Sequence, residues 1–195
     1  YYDPGTFGIS ISRGGDSWLM RRGLSRDVKL GQAWQAPVVL TEYGISPRLE
    51  DAPVYIGKLY AVMDKLLLSG TFWEASMSDL IWNLEDTSLF EPGGSLRPGT
   101  PSLDRPYPRA VAGTIHRFCF QPESGRLELG WTEAPAISAP TEIYLPARVY
   151  GPSPWVELNP GADYTFDPDT RILTIVPLHQ AAQRRLVITP QEKPL

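Results

Sequence analysis

The sequence contains very little cysteine and histidine, and this narrows the chemistry open to it. Among its 195 residues there is one cysteine, Cys119, and there are two distant histidines, His116 and His179. A single thiol forms no internal disulfide, and so few nitrogen and sulfur ligands make no zinc site. We therefore expect the protein to use no metal and no cofactor.

Long apolar runs and clustered basic charge are missing as well. No run reaches the length of a membrane-spanning helix, and the 18 basic residues are scattered among 22 acidic ones. Without a basic stripe, nucleic acid is not an expected partner. The chain opens on Tyr1-Tyr2-Asp3-Pro4, with no methionine and no signal-peptide pattern. We expect the natural N-terminus to lie upstream, which leaves the compartment unknown from this end.

The first half of the chain shows the pattern of alternating helices and strands. A loosely helical segment over 17–34 precedes an apolar strand at 36–41, which the sequence predicts to be buried on both faces of a parallel sheet. An amphipathic helix at 52–69 and a second short strand at 71–75 complete a βαβ unit. A long connector without periodicity follows over 79–108.

Turn-forming residues dominate the second half. Most of the 20 prolines lie after Pro92, and short alternating strands follow. We expect strands at 114–120, 126–132, 141–145, 155–158, 171–176 and 184–189, which together predict a small antiparallel β-sandwich. The predicted domains are thus 1–108 and 109–195. Trp131 and Trp155 are expected to fill the core of the sandwich, with a carbohydrate-binding face or membrane-surface contact as the alternatives.

Glu42 is the residue most indicative of chemistry, because it ends the apolar strand. Barrel enzymes build their active sites at the carboxyl ends of such strands. Strand position alone leaves an ordinary exposed carboxylate as the alternative.

Several motifs resemble one family in order and spacing. Thr41-Glu42-Tyr43-Gly44 resembles the nucleophile motif at the seventh barrel strand of glycoside hydrolase family 5, and Tyr1-Tyr2-Asp3-Pro4 the end of its sixth strand. Phe72-Trp73-Glu74 resembles the end of its eighth strand. Further segments are similar to the endoglycoceramidase-type members: Asp79 to Leu89, Arg105 to Pro108, Ala112-Gly113 and Pro140 to Pro146.

The resemblance implies a fold of α/β plus all-β class, in which the C-terminal portion of a TIM (β/α)8 barrel precedes the β-sandwich. It implies a retaining β-glycosidase with Glu42 as nucleophile, Tyr2 hydrogen-bonded to it and Trp73 beneath the sugar. Glu74 is an implied substrate contact. Asp3, on a presumed rim loop, and Trp82 are further candidate substrate-binding residues, with an ordinary loop carboxylate as the alternative for Asp3. For Glu74 a role as substitute acid is the alternative, and for Trp82 a place in the core.

No position in the chain matches the acid/base glutamate of the family. We therefore expect the chain alone to be inactive and to need an N-terminal barrel portion. The resemblance implies a carbohydrate or glycolipid substrate, of the glycosylceramide type, and a secreted or membrane-associated enzyme. The alternatives are a noncatalytic carbohydrate- or lipid-binding module and a polysaccharide hydrolase acting on glucan or mannan.

Overall fold

The computed structural model describes residues 18–77 and 86–191. The chain divides into two compact units between Leu103 and Asp104. This division lies five residues before the predicted boundary at 108, because the strand Tyr107–Ala110 pairs within the second unit. No helix among the described residues is long and apolar enough to cross a membrane.

The first unit contains a parallel pair of strands and two helices. Helix α1 spans Trp18–Ala33, strand β1 Val39–Tyr43, helix α2 Ala52–Leu66 and strand β2 Ser69–Phe72, and a 3-10 turn follows at Thr100–Ser102. The apolar positions of α2 recur every three or four residues, so its buried face forms most of the core of this unit. The predicted βαβ pattern is therefore present.

One expectation for β1 is wrong. The strand was predicted to be buried on both faces, but Val39 is 52% exposed and Thr41 and Glu42 are also exposed. Among the described residues, β1 pairs only with β2, and the apolar side chains packed around Tyr43 lie mainly on α1 and α2. A two-stranded sheet covered on one face leaves the other face open to solvent.

The second unit is a β-sandwich of two four-stranded sheets. Its strands are β3 Tyr107–Ala110, β4 Gly113–Gln121, β5 Arg126–Glu133, β6 Thr141–Tyr144, β7 Pro154–Asn159, β8 Tyr164–Asp167, β9 Ile172–Ile175 and β10 Gln183–Pro190. One sheet has the order β4-β5-β10-β7 and the other β3-β6-β9-β8, and every pair of neighbours is antiparallel. A short helix, α3, spans Ala147–Tyr150.

Alternation places the core of the sandwich. Leu127, Leu129 and Trp131 of β5 point inward and are buried, as are Leu186 and Ile188 of β10. The predicted position of Trp131 is therefore correct. Trp155, however, lies at an outward position of β7 and is 65% exposed, so its predicted place in the core is wrong. The apolar residues that alternate with it, Val156 and Leu158, pack on the core instead.

Candidate functional site

The carboxyl ends of β1 and β2 lie side by side. The two strands are parallel, with Leu40 opposite Gly70 and Tyr43 opposite Phe72. The backbone N–H of Trp73 donates to the C=O of Tyr43 at 2.8 Å, which continues the pairing one residue beyond β2. Glu42 and Trp73, which the sequence placed on separate strands, thus occupy the same end of one small sheet.

Tyr43 anchors this end in the core. Its ring meets Tyr60 and Phe72 edge-on, with centroids 5.9 and 5.7 Å away, and the hydroxyls of Tyr43 and Tyr60 are hydrogen-bonded at 2.9 Å. Neighbouring side chains of a strand point to opposite faces. Because Tyr43 is held in the core, its neighbour Glu42 lies on the open side of the sheet, and this residue is exposed.

Trp73 and Glu74 form the corresponding end of β2. Both are half-buried, and the peptide bond between them is cis. The C=O of Glu74 accepts a hydrogen bond from the N–H of Leu89 at 2.9 Å. The backbone at this end is therefore held on both sides, by Tyr43 and by a segment that returns from later in the chain.

Four charged side chains join that returning segment to the loop after β1. Arg97 is 4% exposed and lies 2.8 Å from the carboxylate of Asp86 and 3.8 Å from that of Glu91. Arg48 contacts the same two carboxylates from the outside, with its Nε 3.2 Å from Asp86. Each carboxylate is thus shared by two guanidinium groups. The four residues Arg48, Asp86, Glu91 and Arg97 are called the charge ring below.

The structure brings together only some of the residues that the sequence singled out. Glu42, Trp73 and Glu74 lie at one end of the sheet, whereas Tyr2, Asp3 and Trp82 lie outside the described residues. The charge ring was not predicted. Its members are up to 49 positions apart, and charged residues in a connector without periodicity give no sequence signal for such a contact.

The outer face of the sandwich carries a second charged group. Glu128 of β5 contacts Arg117 at 3.0 Å, Arg126 at 2.6 Å and Arg185 at 3.2 Å. The hydrogen bond from Arg126, together with the hydrogen bond from Arg117 and the charges of these two arginines, lowers the pKa of Glu128 to about 2, although burial acts in the opposite direction. Among the described residues, no group of three or more histidine, cysteine or carboxylate side chains is placed to hold a metal ion.

Comparison with known proteins places these features in a family context. Residues 105–189 match the glycoside hydrolase family 5 C-terminal domain. A search of curated protein sequences gave no significant match.

Solved structures resemble more of the chain. Endo-glycoceramidase II from Rhodococcus sp. is 29% identical with a TM-score of 0.65, over 80% of this chain and 34% of that one. The same enzyme as a complex with ganglioside GM3 is 28% identical over the same share of this chain.

Sterylglucosidase 1 from Cryptococcus neoformans is 18% identical, with a TM-score of 0.65. The match covers 82% of this chain and 29% of that one, and at this identity it indicates only that the two chains share a fold. The chain spans about a third of the length of these structures. These matches confirm the predicted resemblance: the chain is similar to the C-terminal part of endoglycoceramidase-like proteins of glycoside hydrolase family 5, and it is thereby related to glycoside hydrolases.

Proposed function

We propose that this chain supplies the last two βα units of a TIM-type barrel, followed by the β-sandwich, of a retaining β-glycosidase. The observation that carries the proposal is the parallel pairing of β1 and β2, which sets Glu42 and Trp73 at one end of the sheet. In barrels this is the end where active sites are built. The match of residues 105–189 to the C-terminal domain of a hydrolase family supports the same proposal.

Glu42 is the proposed nucleophile. A retaining glycosidase needs one carboxylate to attack the anomeric carbon and another, about 5 Å away, to protonate the departing oxygen. Attack by Glu42 forms a glycosyl ester, and water activated by the second residue then releases the sugar. Glu42 is exposed on the open side of the sheet, where its carboxylate is suited to meet a substrate.

The second carboxylate is proposed to come from residues outside this chain. Glu74 is the only other carboxylate within two residues of the carboxyl end of β1 or β2, and it immediately follows Trp73. We assign Glu74 to a sugar hydroxyl and Trp73 to the apolar face of the sugar ring, where an aromatic side chain can stack. Tyr2 is proposed to hydrogen-bond Glu42, and Asp3 and Trp82 to line the same cleft. On this assignment the chain alone has no hydrolytic activity.

A glycolipid is the proposed substrate. The support is the 29% identity to a solved structure described as an endo-glycoceramidase, which is stronger than any sign in the geometry of this chain. Activity of the complete enzyme on glucosylceramide, steryl glucoside and a soluble glucan would separate the candidates. Preference for the soluble glucan would replace the glycolipid with a polysaccharide.

The role of Glu42 is tested by substitution in the complete enzyme. Glu42→Gln is isosteric, so folding is preserved while turnover falls by several orders of magnitude. Glu50→Gln, at an exposed glutamate in the loop that follows, is the matched control and leaves turnover unchanged. A Glu42→Gln enzyme with near-normal turnover would remove Glu42 from this role.

One observation favours a second function. The exposed indole of Trp155 shares the outer face of the sandwich with Glu157 and Asn159, which are also exposed. Such a face suits a noncatalytic sugar-binding site or a contact with a membrane surface. Loss of binding to sugar-coated or lipid surfaces in Trp155→Ala, with unchanged hydrolysis of a soluble substrate, would establish it.

A further inference from the structure

Residues 86–100 are hydrogen-bonded to the segments that follow both parallel strands, and they are called the strap. On the side of β2, the N–H of Leu89 donates to the C=O of Glu74 at 2.9 Å, and the hydroxyl of Ser88 donates to the C=O of Ser76. On the side of β1, the N–H of Gly99 donates to the C=O of Pro47 at 3.0 Å. The strap therefore ties the two chain segments that leave Glu42 and Trp73.

The approach of the strap to Pro47 is too close for a side chain. A Cβ added at Gly99 would lie 2.6 Å from the carbonyl oxygen of Pro47 and 3.0 Å from its Cα. Both are backbone atoms, so they cannot rotate away. The strap is thus seated against the loop after β1 in one register.

The charge ring holds the strap in this position through one buried and one exposed arginine. Arg97 is its inner member: besides the two carboxylates, its Nη1 donates to the C=O of Asp86 at 3.1 Å. Arg48 is its outer member, with a side chain 48% exposed, and it stands six positions after Glu42. Loss of a buried partner from such a group is costly, whereas an exposed ion pair contributes little. Arg97 should therefore hold the strap more strongly than Arg48.

We propose that Arg97, assisted by Arg48, is a positioning residue that fixes Glu42 relative to Trp73. It touches neither the substrate nor the reacting atoms. It acts by holding the strap against the segments that follow β1 and β2, and so sets how closely the carboxylate of Glu42 approaches a sugar lying on Trp73. The inference rests on the proposed role of Glu42. Displacement of a reacting group by about 1 Å can cost on the order of 100-fold in rate.

The test measures how fast Glu42 is labelled in the complete enzyme. A 2-deoxy-2-fluoro glycoside with a dinitrophenolate leaving group is the probe. A carboxylate oxygen of Glu42 forms a bond to the anomeric carbon as the bond to dinitrophenolate breaks, and that anion leaves without needing a proton. The fluorine slows hydrolysis of the ester, so mass spectrometry gives both the labelled fraction and its rate of formation.

We expect Arg97→Met to label completely but on the order of 10 to 100 times more slowly than wild type. Arg97→Lys, which keeps the charge but loses the forked contact, should lie between them. Arg109→Met is the control. Arg109 and its partner Glu142, 3.6 Å away, both belong to the second unit, and the side chain of Arg109 is 51% exposed. This variant should label at the wild-type rate.

The outcomes separate the two proposals. Wild type that does not label at Glu42 overturns both the proposed function and this inference. Wild type that labels, together with Arg97→Met labelling at the same rate, overturns only the inference. A smaller labelled fraction formed at an unchanged rate also overturns it, because that result indicates partial unfolding. If Arg97→Met does not fold, Arg48→Met takes its place in the test. We expect Arg48→Met to label Glu42 a few-fold more slowly than wild type and Arg109→Met to label it at the wild-type rate, so an unchanged rate in Arg48→Met overturns the inference.

Discussion

Arg184 and Glu133 form an ion pair inside the β-sandwich, with Nη1 of the arginine 2.5 Å from a carboxylate oxygen and neither side chain more than 1% exposed. The other carboxylate oxygen of Glu133 accepts a hydrogen bond from the N–H of Leu178. The guanidinium of Arg184 lies over the ring of Trp131, 5.2 Å from its centroid. The pair therefore links β5, β10 and the segment before β10.

Breaking this pair should destabilise the sandwich strongly. Glu133→Gln leaves the buried guanidinium of Arg184 without its counter-charge, and we expect unfolding free energy to fall by about 3–5 kcal/mol. Urea denaturation followed by near-ultraviolet circular dichroism, to which the buried Trp131 contributes, measures this. The double variant Glu133→Leu with Arg184→Met should lose less unfolding free energy than Glu133→Gln, since no charge remains buried in it. Equal losses in the two proteins would contradict this account.

The arginine contacts of Glu128 should make the stability of the β-sandwich depend on pH. Because the folded pKa is depressed from 4.5 to about 2, the stabilisation is fully present above pH 4.5 and is lost as pH falls towards 2. We expect Glu128→Gln to be less stable than wild type by about 1 kcal/mol at pH 7, a modest value because such pairs are screened by solvent. The difference should vanish near pH 2. Glu157→Gln is the control, since Glu157 and Glu128 flank Val187 from opposite sides.

The turn between β4 and β5 should tolerate only glycine at position 125. Gly125 has a φ of +66°, and an added Cβ would lie 2.6 Å from Cγ of Pro190. Gly151 has a φ of +58° but open space around it. With a ψ of -147°, Gly151 lies close to a backbone region that essentially only glycine adopts, so we expect Gly151→Ala to cost about 1–3 kcal/mol from strain alone, and Gly125→Ala to be destabilised by strain and by the contact with Pro190 together. Thermal unfolding of both variants, beside Gly161→Ala as the unstrained reference, gives the order.

Two glycines of α1 should respond in opposite directions to alanine. Nothing lies within 4 Å of a Cβ at Gly23, so Gly23→Ala should stabilise the first unit by about 0.5–1 kcal/mol through helix propensity. At Gly31 the added Cβ would lie 2.2 Å from Cγ2 of Val38 and 2.9 Å from the C=O of Ala36. Gly31→Ala should therefore destabilise it. Far-ultraviolet circular dichroism during heating would show both effects, and a stabilising Gly31→Ala would contradict the packing described.

Periodicity in the sequence was sufficient to find helices α1 and α2 and most strands, but not the four-residue helix α3. The predicted helix over 52–69 corresponds to Ala52–Leu66, and Gly23 and Gly31 did not prevent α1 from forming over Trp18–Ala33. Strands β3 and β8 were missed. Both are four-residue edge strands, and β3 contains Pro108, which normally argues against a strand but is tolerated at an edge.

The family resemblance placed Glu42 and Trp73 in one site, whereas the residue patterns alone treat each strand separately. The motifs around Glu42 and Trp73 indicate that each ends a strand, but the parallel pairing that sets them side by side depends on register, which short apolar runs do not reveal. The charge ring could not be predicted, because its contacts depend on how a connector folds back. Trp155 was misplaced because β7 alternates and either set of its residues could have faced inward.

The two-stranded sheet of the first unit has a further consequence for handling the protein. Among the described residues, the outer edges of β1 and β2 carry no partner strand, and Val39 offers apolar surface beside one of them. Unpaired backbone groups along an edge attract other strands. The 195-residue chain on its own should therefore self-associate in a concentration-dependent way. A separately expressed polypeptide that contributes the adjoining strands should prevent this self-association. The two polypeptides would then form a split protein, and the soluble fraction would measure how much of it has assembled.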